Sequence, residues 1–208
     1  MQAKSSTLTQ AEFDSVIDNV ASFFKGDKGG VDYRSLSYSA TSGETHELYE
    51  KLGLVYVDIT SSNNNEVAQV VGRLNSEFQK ELSADSNGYH KDITECTNNL
   101  ESTRNQDDFN KRIDDIAANA KAASAATIDK WKEKVKKYYK ESSTLGQRVL
   151  DALMGAFAKA CALAMKVYES IINFFTSIIA NVVKWLEHAW ASIKDFFSGI
   201  SRMISSLL

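Results

Sequence analysis

The sequence predicts a mainly α protein, an elongated bundle of five or six helices. Three observations carry this. Apolar residues recur at steps of three and four through most of the 208-residue chain, the spacing of one helix face. There is no proline, the residue that most disrupts helix interiors. And 43% of the residues are hydrophobic, enough to supply a packed core.

The first helix is expected over Thr9 to Lys25. Thr9 stands at the cap position with Glu12 three residues later, the spacing of a capping box. Phe13, Val16, Ile17, Val20, Phe23 and Phe24 form its stripe, and the glycines of GDKGG end it. Residues 31–60 are the least helical. VDYRSLSYS and LVYVDIT are rich in β-branched and aromatic residues, so a small β-hairpin is an expectation there, with an ordered loop as the alternative.

A second long helix is expected from Glu66 to Leu82, broken by SADSNG at Ser83 to Gly88. Tyr89 to Ala126 reads as a polar helix with a thin stripe and an interruption near Arg104 to Gln106. Thr127 to Glu141 follows, and SST at Ser142 to Thr144 restarts a helix. The chain divides on this reading into a bundle over 1–143 and an amphipathic, hydrophobic helical segment over 144–208 packed on it as one domain.

That last segment has a wide apolar face. Phe174, Phe175, Ile178, Ile179, Trp185, Trp190, Phe196 and Phe197 crowd it, with Glu169, Asn173, Lys184, His188 and Arg202 opposite. The polar helices between Tyr89 and Lys121 carry too few apolar residues to cover this face fully, so the eight named residues are read as membrane- or partner-binding, with the core of the bundle itself as the plain alternative. A simple span is disfavoured. The longest charge-free run, Ser170 to Val183, has 14 residues, against about 20 needed to cross a bilayer. An unbroken helix from Gln147 to Leu207 would reach about 90 Å at 1.5 Å per residue, so a turn is required, and no residue marks its place.

Lys130, Lys132, Lys134, Lys136, Lys137 and Lys140 form the one concentrated basic patch in a chain of net charge −3. Anionic headgroups attract such lysines, so the six are read as an anionic-lipid-binding patch. A solvated helix face is the plain alternative. Nucleic acid is disfavoured, since one short patch without a recognition motif is a weak footprint.

No catalytic motif is present. Glu44, His46 and Glu47, and the pairs Asp107–Asp108 and Asp114–Asp115, read as helix-terminal charge and solvated surface. Cys96 and Cys161 sit on apolar stripes as buried thiols, and the three histidines lack metal-ligand spacing. The expectation is a non-enzyme with no cofactor and no metal. Its partner would be a lipid membrane, engaged in the manner of a helical pore former, or another helical protein chain as for a secreted effector or assembly subunit. Homo-oligomers are compatible with either. The polar start MQAKSSTLTQ has no apolar core of a signal peptide, so the chain is expected in the cytoplasm, or exported without a cleaved signal, with peripheral membrane attachment.

Overall fold

The computed structural model describes residues 7–26, 49–55, 57, 65–141 and 145–207. Among these, every regular element is helical. The elements are α1 (Gln10–Lys25), α2 (Asn65–Thr103), α3 (Gln106–Glu141), α4 (Gln147–Ile179), α5 (Val182–Leu186) and α6 (Ala189–Ser205). Residues 49–52 add one helical turn. The helical bundle predicted from periodicity is therefore present. Most of the hairpin expected at 31–60 lies outside the described residues, and so do Glu44, His46 and Glu47.

Local chemistry accounts for the ends of α1. The Thr9 backbone N–H donates to Glu12 Oε2 at 2.8 Å, and the Glu12 N–H donates back to Thr9 Oγ1 at 3.3 Å. The capping box is complete. The bonds that the Thr9 N–H and, at 2.8 Å, the Thr9 hydroxyl donate to Oε2 hold the Glu12 carboxyl below its ordinary pKa. Gly26 closes the helix at φ 78°, a left-handed conformation that glycine adopts without strain.

Two expectations about the middle of the chain are corrected. Ser83 to Gly88 does not end a helix: α2 runs through it for 39 residues. Its buried stripe continues across the turn-like residues, from Phe78 and Leu82 through Ser86 to Ile93, Cys96 and Leu100. Gly88 costs a helix interior about 1 kcal/mol, less than abandoning that packing. Likewise, Thr127 to Glu141 is not a separate helix but the second half of the 36-residue α3. The interruption near Arg104 is real. Arg104 sits at φ 56°, and Asn105 caps α3 by accepting the Asp108 N–H at 3.1 Å.

The chain forms two compact units. The first comprises Met1–Phe78 and Thr127–Ala162, with Leu208. Its core holds Phe13, Ile17 and Phe24 of α1, Leu74 and Phe78 of α2, Trp131 and Val135 of α3, and Leu150, Leu153 and Phe157 of α4, all fully buried. Trp131 packs on Phe78 with ring centroids 4.4 Å apart, and Phe13 stacks on Tyr139 at 4.9 Å. Helix α4 is enclosed on every side from Ala152 to Ala158. The small residues Ala152, Gly155, Ala156 and Ala158 permit this. A Cβ on Gly155 would run into the ring and hydroxyl of Tyr49, so only glycine fits without displacing that side chain.

The second unit comprises Gln79–Ala126 and Leu163–Leu207. Its core takes Leu82, Ile93, Leu100, Phe109 and Ile113 from α2 and α3, and Val167, Tyr168, Ile171, Phe175, Ile193 and Ile200 from α4 and α6. The Tyr168 hydroxyl donates to Asp85 at 2.6 Å.

Candidate functional site

The aromatic segment does not form one rod. It folds back as a hairpin in the second unit: α4 ends at Ile179, the five-residue α5 occupies Val182–Leu186, and α6 begins at Ala189. The bends fall at Ala180–Asn181 and Glu187–His188, where there is neither glycine nor proline. Asn181 lies at φ −155°, ψ 51° and His188 at φ −131°, ψ 18°, and neither caps its helix with a side-chain hydrogen bond.

Folding back lets the two apolar faces meet. Phe174 of α4 and Phe196 of α6 stack in parallel, centroids 4.0 Å apart and planes 5° from coplanar. Phe197 adds edge contacts to both rings and stacks on His90 of α2 at 4.7 Å. The segment thus supplies much of its own cover. Of the eight residues expected to be binding, Phe175, Ile178 and Phe197 are buried, and Phe174, Ile179, Trp185 and Phe196 are half-buried. Only Trp190 is exposed, at 44%.

What remains open is concentrated at the hairpin bend. Val183 is 68% exposed, and Ile179, Trp185 and Leu186 are half-buried. The Trp190 indole N–H donates to Glu101 at 3.0 Å. Trp185 packs on Phe109 at 5.7 Å, and its own indole N–H is shielded without a hydrogen-bond partner among the described residues. Val183 and Leu186 were not singled out in the sequence. Their signal, apolar residues without a charge between Asn181 and Val183 and again at 185–186, is too short to stand out from the rest of the stripe.

The lysine cluster belongs to the first unit, and much of it is already paired. Lys136 Nζ lies 2.7 Å from Asp18 of α1 and Lys134 Nζ 2.8 Å from Glu77 of α2. Lys132 contacts Asp129 at 3.3 Å, Asp18 and Glu133 each at 3.8 Å. Lys137 lies 3.6 Å from Glu141. Lys25 reaches Asp129 from α1 at 3.1 Å. Partial desolvation raises the Asp129 pKa, but hydrogen bonds from Lys25 and Lys132 outweigh it and leave the carboxyl below its ordinary value. Lys132, Lys134 and Lys136 are half-buried, whereas Lys130, Lys137 and Lys140 are exposed. The half-buried lysines pin α1 and α2 to α3. Lys136→Glu would set two carboxylates against each other, and we expect it to destabilise the protein by about 1–3 kcal/mol, the scale of a charged hydrogen bond lost. Its melting temperature should fall well below that of Lys137→Glu, whose i,i+4 pair is worth only about 0.3–0.5 kcal/mol; equal melting temperatures would contradict the pinning role.

Among the described residues, no group of three or more histidine, cysteine or acidic side chains could hold a metal ion. No helix of the described residues is long and apolar enough to cross a membrane. Cys96 and Cys161 are free and buried, and burial pushes both thiols above their ordinary pKa. A shallow pocket of about 230 Å³ between α1 and residues 51–53 gathers no acid–base pair. Compared with known proteins, the chain matches no family model, no characterised protein and no solved structure.

Proposed function

We propose that this is a non-enzymatic helical protein that engages lipid membranes through the bend of the α4–α6 hairpin. The observation that carries the reading is the exposure of Val183 on α5 and Trp190 at the start of α6, with Ile179, Trp185 and Leu186 half-buried. Tryptophan is favoured where an apolar ring body and a polar N–H must face two phases, as at a bilayer interface. The helix that follows is amphipathic, with Lys194 and Arg202 on its polar side, which suits insertion in the interface plane.

The reading differs from the one based on charge. With Lys132, Lys134 and Lys136 held in ion pairs, and Lys184 followed three residues on by Glu187, attachment rests mainly on apolar burial. The test is co-sedimentation with neutral and with anionic vesicles, paired with quenching of tryptophan fluorescence by brominated acyl chains. Binding to both, with quenching, supports the reading. Binding to neither would discard it and leave a protein chain as the occupant of the bend.

A further inference from the structure

The bend between α4 and α6 is not written into the amphipathic pattern. At 100° per residue, the large apolar residues from Tyr168 to Leu207 fall within about half of one continuous helical circumference. Phe175 and Ile178 of α4 share that half with Ile193, Phe197 and Ile200 of α6. Glu169, Asn173, Lys184, Asp195, Ser198 and Arg202 share the other. The phase passes through both bends unchanged.

The α2–α3 turn behaves differently. Continued as one helix, Ile93, Cys96 and Leu100 would stand about 150° from Phe109, Ile113 and Ala120. That turn also carries its own stop signals, the positive φ of Arg104 and the Asn105 cap. At Asn181 and His188 there is no side-chain cap bond, glycine or proline. Beyond the local backbone turn bonds, tertiary contacts hold the α4–α6 fold-back: the Phe174–Phe196 stack, the Phe197–His90 stack and the Trp190–Glu101 hydrogen bond.

We propose that on a lipid bilayer α4, α5 and α6 open at these two bends into one continuous amphipathic helix lying in the interface. This rests on the membrane reading above and adds the form the protein takes there. Acyl chains replace the apolar cover that each arm of the hairpin gives the other, and the short turn bonds from the Asn181 N–H to the Ile178 carbonyl (3.1 Å) and from the His188 N–H to the Trp185 carbonyl (3.0 Å) give way to one continuous helical ladder. The straightened stretch from Tyr168 to Leu207 would measure about 60 Å at 1.5 Å per residue. From Lys184 onward its polar side bears Lys184, Lys194 and Arg202 against Glu187 and Asp195, near neutrality, so no anionic lipid is required.

Two nitroxide labels at Asn173→Cys and Ser198→Cys test this in the full chain. Both positions are exposed, and Cys96 and Cys161 are buried out of reach of the reagent. In the hairpin the labels are near neighbours, because the adjacent Phe174 and Phe196 rings stack and packed helices lie about 8–10 Å apart. In the open helix they stand on one side about 38 Å apart, 25 residues at 1.5 Å each. Pulsed electron resonance on the fraction pelleted with neutral phosphatidylcholine vesicles should show the longer distance. A second pair, Thr176→Cys and Asp195→Cys, should move to about 29 Å and guards against a local effect of the first. Bound protein that keeps the short distance in both pairs overturns the opening and leaves membrane binding intact. Failure to pellet removes the membrane reading and this inference with it.

Discussion

Trp131→Ala should lower the melting temperature by about 6–20 °C, the largest effect expected of any single substitution in the first unit. Trp131 is fully buried and packs on Phe78 at 4.4 Å. Truncating a buried tryptophan costs about 3–5 kcal/mol, from lost transfer energy and the cavity left behind. For a chain of this size each kcal/mol moves the midpoint by about 2–4 °C. The side chain belongs to α3 between Lys130 and Lys132, so the basic face and the core anchor lie on one stretch of helix. Thermal unfolding followed by circular dichroism measures it. A fall of less than about 3 °C would mean that this core has collapsed round the gap or that Trp131 is not its anchor.

Val183→Gln combined with Trp190→Gln should weaken vesicle binding at least tenfold while leaving the melting temperature nearly unchanged. Both side chains are exposed in the free protein, so removing them costs the fold little. Burying a valine or larger side chain in an apolar phase is worth about 1.5–3 kcal/mol, and 1.4 kcal/mol is a factor of ten in affinity. Glutamine at 190 keeps a donor for Glu101, so the hydrogen bond that holds the start of α6 has a replacement. Unchanged binding by co-sedimentation would move the attachment away from the bend. A large drop in melting temperature would show that these residues serve the fold instead.

What the sequence disclosed was mostly short-range. The capping box of α1 needs only Thr9 and Glu12, and the α2–α3 turn needs only Arg104 and Asn105, so both were legible in a few residues. The helix through Ser83 to Gly88 was not, because turn-forming residues there are overruled by a stripe that extends well to either side, at Phe78 and Ile93. The ion pairs of the lysine cluster join residues up to 118 apart, Lys136 to Asp18. Nothing local in TIDKWKEKVKKYYKE announces those partners, so the patch read as free charge. The fold-back of the aromatic segment was hidden for a different reason. Its amphipathic phase is continuous, and only the pairing of Phe174 with Phe196 in three dimensions shows that one half of the face covers the other.

The attachment of α1 has a consequence for the order of folding. Its polar ties run to Asp129 over 104 residues, to Lys136 over 118, and, from Leu8 just ahead of it, to Tyr139 and Gln147 over 131 and 139. The α2–α3 turn, by contrast, is closed by Asn99 and Asp108, nine residues apart. Long loops carry more closure entropy before any contact rewards it, and chains rich in distant contacts gain them late. Helix α1 should therefore dock after the α2–α3 pair has formed. In pulsed hydrogen exchange during refolding, amides around Ile93 and Ile113 would gain protection before those around Ile17. The reverse order would show that α1 recruits its partners early, and that the N-terminal helix nucleates the fold rather than completing it.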